Sequence, residues 1–164
     1  MTDKADDIDI LVAQWQQQGV SDDLQPMAIF GRFARLAKHI EAEILRCHSG
    51  LGLGQGEFDV LATLRRNGAP YTLSPSHLYQ SMMLSSGAMT SRLDRLAQKG
   101  LIERQHSTED RRAVHVSLSD AGKVLIDRAL PVHMALFESL LADMGSEERG
   151  QLNLLLKQWL GHFE

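Results

Sequence analysis

A chain of 164 residues with 43% hydrophobic and 23% charged side chains has the balance of one globular domain, with or without an added scaffold. No apolar run approaches the roughly 18 residues of a membrane span, the acidic start MTDKADDIDI is no secretory signal, and the single cysteine, Cys47, excludes an intrachain disulfide, so the expected compartment is the reducing cytoplasm. The net charge of −4 argues against a polyanionic partner, but its distribution reverses that: residues 1–64 hold five basic and ten acidic side chains, residues 65–115 eight and four, and residues 116–164 four and seven. Basic charge gathered in the middle third of an acidic chain is the footprint of a module that meets nucleic acid.

Residues 5–18 are expected to be helical, because Ile8, Leu11, Val12 and Trp15 recur at helical spacing. Gly19 and Ser21-Asp22-Asp23 close that helix and open the next. The second, over 24–48, carries a stripe of Ile29, Phe33, Leu36, Ile40 and Ile44. The stretch SGLGLGQG has no phosphate-loop lysine and reads as a connector. A short helix is expected over 57–66, a brief extended piece at Tyr71-Thr72-Leu73, and a helix to about Met82 from the cap Ser74-Pro75. A further helix spans 86–99 and ends at Gly100. Leu101–His106 and Val114–Leu118 alternate like strands. Ser119 caps a long helix over 120–143 that Pro131 is expected to kink or divide. Ser146 caps the last, with Leu152, Leu155, Leu156 and Trp159 at helical spacing.

Two helices joined by a tight turn with a hairpin directly after them make a winged helix-turn-helix. The expected class is therefore mainly α with a small β-hairpin wing, carried on a helical dimerisation scaffold. Residues 1–53 supply the N-terminal helices, 54–118 the winged region and 119–164 the C-terminal dimerisation helices. On the helix at 86–99, Met89, Leu93 and Leu96 face a core. Gly87, Ser91, Asp94, Arg95 and Gln98 point away, with Thr90 and Arg92 on the flanks. Small polar residues followed by arginine suit a major groove, where Arg95 meets a guanine edge or a phosphate. Ser85 and Ser86 offer hydroxyl and N–H groups to a phosphate. The hairpin tip TEDRRA places Arg111 and Arg112 where a long cation reaches a minor groove, with Asp110 as a brace. An ordinary solvated helix face and a soluble charged turn are the plain alternatives.

The stretch LSSGAMTSRLDRLAQKGLIERQHSTEDRRAVHVSLSDAG resembles the DNA-binding region of the MarR family. That resemblance implies a homodimeric regulator with two winged lobes on a palindromic operator. It further implies a repressor released by a small ligand or by oxidation, with Arg112 as the wing arginine and Asp110 its salt-bridge partner. FDVLATLRR, GAPYTLSP and the extra tryptophan-bearing N-terminal helix resemble a narrower, PecS-like, urate-responsive branch of that family. The implied ligand residues are Trp15, Asp59, Arg66 and Arg104. Asp59 and Arg66, seven apart, share one helical face, which fits either a site or a solvated surface. Trp15 fits a ligand wall or an apolar anchor equally, and Arg104 a ligand or a phosphate contact. The implied effector is urate or a similar planar anion, with no cofactor. Cys47 is a candidate redox sensor, an alternative to ligand release, and a protein-binding winged helix without DNA is a third reading. The seven histidines form no close metal-ligand pattern and no nucleophile–base motif is present, so neither a metal site nor an enzyme is expected.

Overall fold

The computed structural model describes residues 4–54, 56–82, 86–106 and 114–164. It divides into two compact units, Met1–Glu43 and Ile44–Glu164. The first holds α1 (Asp7–Gln17) and most of α2 (Gln25–Gly50). Asp6 caps α1: its carboxylate accepts the N–H groups of Ile8 and Asp9 at 2.8 and 2.9 Å, and Asp9 accepts the N–H of Asp6 in return. Arg32 of α2 donates to Asp6 at 2.8 Å and also pairs with Asp9. The Arg32 hydrogen bond holds the Asp6 carboxyl down to about 2. Ile8 is buried and lies against Gly31, where an added Cβ would crowd it. Most of the expected stripes behave differently: Leu11, Trp15, Ile29, Phe33, Leu36 and Ile40 are 39–60% exposed, with Val12 and Ile44 half-buried.

The second unit contains α3 (Glu57–Arg66), β1 (Thr72–Leu73), α4 (Pro75–Met82), α5 (Ser86–Gln98), β2 (Ile102–His106), β3 (Val114–Leu118), α6 (Asp120–Leu140) and α7 (Ser146–Leu160). The strands form an antiparallel sheet in the order β1-β3-β2, with Leu73 opposite Val116 and Arg104 opposite Val116 on the other side. One core collects Phe58, Val60, Leu61 and Leu64 of α3, Leu78 of α4, Met89, Leu93 and Leu96 of α5, Ile102 and Val116 of the sheet, and Ile126 and Ala129 of α6. Arg65 on α3 and Lys123 on α6 both grip Asp127, at 2.6 and 2.8 Å.

The end of α5 is tied to the start of α6. Gly100 takes the left-handed conformation that lets Leu101 N–H return to the Leu96 carbonyl at 3.0 Å. The Ser119 hydroxyl donates to the Gly100 carbonyl at 2.7 Å and accepts the Gly122 N–H at 3.0 Å, capping α6. Gly122 must lack a side chain, since a Cβ there would collide with the Leu101 carbonyl oxygen. Pro131 lies inside an undivided α6, so the expected division does not occur, and proline there removes one backbone donor. One expectation needs correction. Gly145, not Ser146, is the N-cap of α7, because the Glu148 carboxylate folds back onto the Gly145 N–H at 2.8 Å.

Candidate nucleic-acid interface

The turn geometry begins at Ser74, whose hydroxyl accepts the His77 N–H at 3.2 Å and caps α4. Leu78 anchors α4 and Met89, Leu93 and Leu96 anchor α5, so the two helices share α3 as their backing. On α5, Thr90, Ser91, Asp94 and Gln98 are exposed, as the helical spacing requires. The Arg104 guanidinium on β2 donates to the Asp94 carboxylate at 2.7 Å, which neutralises the one acid on this outward face. Ser86 opens α5. Ser85, Asp110, Arg111 and Arg112 lie outside the described residues.

The basic side chains of α5 take a course that spacing alone did not reveal. Arg95 reaches outward only in part: its Nε donates to Glu57 at 3.1 Å and its Nη1 to the Ser91 hydroxyl at 2.6 Å. Lys99 donates to Glu57 at 2.6 Å and to the Gly52 carbonyl at 2.9 Å. The Glu57 side chain is 1% exposed. Burial raises its pKa, but hydrogen bonds from Lys99, the Gly54 N–H and Arg95 outweigh it, and the carboxyl sits below its ordinary range. Arg92 lies over the backbone of Gly56, where a Cβ would collide with its guanidinium.

The MarR family model matches residues 53–114. The transcriptional regulator PecS of Dickeya dadantii (strain 3937) is 38% identical over 146 residues, covering 89% of this chain and 88% of that protein. This chain belongs to the MarR family. It is a DNA-binding transcriptional regulator with a winged helix-turn-helix fold, in which β2–β3 form the wing. The transcriptional repressor MdtR of Bacillus subtilis (strain 168) is 33% identical over 113 residues, 69% of this chain and 71% of that protein. Among solved structures, a mutant E. coli MarR complexed with operator DNA superposes with a TM-score of 0.72 at 26% identity, covering 85% of this chain and 99% of that one.

In this MarR-family regulator, Asp59 and Arg66 line one open cavity of about 390 Å³ between α3, α4 and α5, together with Phe58, Thr63, Met82 and Arg92. Arg66 is steadied by the Ser81 carbonyl at 3.2 Å. Of the four implied ligand residues, Asp59 and Arg66 are thus brought together. Arg104 is engaged with Asp94 and is not part of the lining. Trp15 belongs to the first unit, where it is exposed. Arg92, assigned to DNA by the sequence, stands in the cavity wall; its distance of 26 residues from Arg66 hid it. Cys47 is half-buried near the end of α2. Beside it, His48 is buried, stacks on Phe58 at 4.2 Å and shares a 3.2 Å hydrogen bond with His133 of α6. Burial lowers both imidazoles, while the carboxylate of Asp59 works to raise them.

Proposed function

We propose that this protein is a homodimeric repressor that holds a palindromic operator and leaves it when a small planar anion such as urate enters the cavity between α3, α4 and α5. The observation that carries the proposal is the meeting of Arg66, Arg92 and Asp59 in one cavity wall, one of the two arginines being on the recognition helix itself. An oxygen-rich anion edge pairs with guanidinium groups, and Phe58 and Met82 supply apolar wall for a flat ring. The same anion repels Asp59. Binding therefore redistributes charge on α3 and draws on Arg92, which biases the orientation of α5 and the population able to fit DNA.

The repressor reading is supported by the likeness to MdtR, and the operator reading by the likeness to MarR bound to operator DNA. The dimer reading is supported by α7, where Leu152, Leu154, Leu155, Leu156 and Leu160 are all exposed, a face that a second copy would cover. Titration of urate into a preformed DNA complex tests the effector. Release at micromolar to millimolar urate is expected, and a complex intact at millimolar urate refutes it. Sedimentation tests the dimer, and a monomer at micromolar concentration refutes it.

A further inference from the structure

Arg92 and Arg95 of α5 and Lys99, the residue just past its end, follow one another at three- and four-residue spacing along one flank. All three turn toward the segment that starts α3, and two of them converge on a single buried carboxylate, Glu57. Oε1 of Glu57 takes Arg95, and Oε2 takes Lys99 and the Gly54 N–H. We infer that Glu57 sets the specificity of DNA reading: it pins Arg95 as a fixed donor and cancels the charge of Lys99, so that neither of these two meets the phosphate backbone as a loose cation.

The physical argument has two parts. Mobile cations near DNA strengthen binding to every sequence alike, because they neutralise phosphates and release counterions. A recognition helix with loose lysine and arginine gains affinity and loses discrimination. Lys99, bonded to a buried anion and to the Gly52 carbonyl, is withdrawn from that role. Arg95 is held at Nε by Glu57 and at Nη1 by Ser91. A guanidinium fixed in this way loses less rotamer freedom when it meets a base edge. Glu57 touches no DNA in this scheme; it is a positioning residue acting through Arg95 and Lys99. The inference requires DNA binding through α5 and is independent of the effector.

The test compares wild-type, Glu57→Gln and Glu57→Gln/Arg95→Ala proteins across a salt series. Two duplexes are used, one enriched by the wild-type protein from a random pool and one of equal length with a scrambled sequence. Glu57→Gln is expected to bind the scrambled duplex several-fold more tightly, with a log-affinity against log-salt slope steeper by about 0.9 for each cation released. It is expected to bind the enriched duplex about tenfold more weakly, the loss associated with one good base contact. In the double variant the scrambled-duplex slope moves back toward wild type by about 0.9. An equal loss on both duplexes at unchanged slope would overturn the inference and leave Glu57 as a support of the fold alone. If Glu57→Gln does not fold, Arg95→Ala decides: a loss confined to the enriched duplex supports the pinned donor. A scrambled-duplex slope shallower by about 0.9 shows a loose phosphate contact and overturns it.

Discussion

Two helices with the same kind of sequence pattern end in opposite environments. Phe58, Leu61 and Leu64 of α3 recur every three residues and are buried to 3% exposure or less. Ile29, Phe33 and Leu36 of α2 recur every three or four and stand 49–60% exposed. Periodicity identifies the face that seeks apolar cover, and the rest of the chain determines whether the cover is at hand. For α3 it comes from α4, α5, the sheet and α6 of the same unit. For the stripes of α2 and α7, a second copy supplies it in the proposed dimer.

The contrast can be broken by mutation, and the largest effect is expected in the core. Leu61→Ala should cost the second unit about 2–5 kcal/mol in chemical denaturation, whereas Leu155→Ala should leave that unit's unfolding nearly unchanged and raise the dimer dissociation constant in sedimentation. Comparable unfolding losses from both would erase the distinction. Gly122→Ala comes next. Its methyl group meets the Leu101 carbonyl, and separating α6 from the end of α5 should cost about 1–3 kcal/mol; a melting temperature equal to wild type would show that the junction yields freely.

A smaller effect is expected from acid. His48 and His133 are held neutral by burial, so their folded pKa values lie below the ordinary 6.5. The unfolded chain then binds more protons than the folded one below that pH. The stability they contribute is complete above pH 6.5 and drains away as pH falls through the folded values. Urea midpoints at pH 7.5 and 5.5 should differ more for wild type than for His133→Asn, and identical pH sensitivity would clear the pair of this role. The smallest change is expected at Arg32. Its carboxylate partners on α1 are exposed, so Arg32→Ala should hardly move the melting temperature, and a drop like that of Gly122→Ala would mean that the first unit depends on this surface clamp.

Much of this was legible in the residues. The hairpin registers as Ile102–His106 against Val114–Leu118, strands that alternation had marked, and Met89, Leu93 and Leu96 face the core as spacing requires. Local signals sufficed there because each element's own pattern determines its buried face. The partnerships of charges were not legible. Glu57 reads as a first-turn acid of α3 and Lys99 as a last-turn base near α5, yet they lie 42 residues apart in sequence and meet at 2.6 Å. Only the packing of α5 on α3 brings them together. One sequence signal existed: Arg92, Arg95 and Lys99 form a single stripe beside the apolar face, where a cation needs a partner. His48 and His133 carried no such signal, being separated by 85 residues.

The central claim is that the cavity holding Asp59, Arg66 and Arg92 governs the fit of α5 to DNA. The most direct measurement is urate-driven release of a fluorescent operator duplex, recorded side by side for wild type, Arg66→Ala and Cys47→Ser. The account predicts release for wild type and for Cys47→Ser at similar urate concentrations, with Arg66→Ala bound to DNA but at least about tenfold less responsive. Equal release from all three, or release lost only with Cys47→Ser, would contradict it.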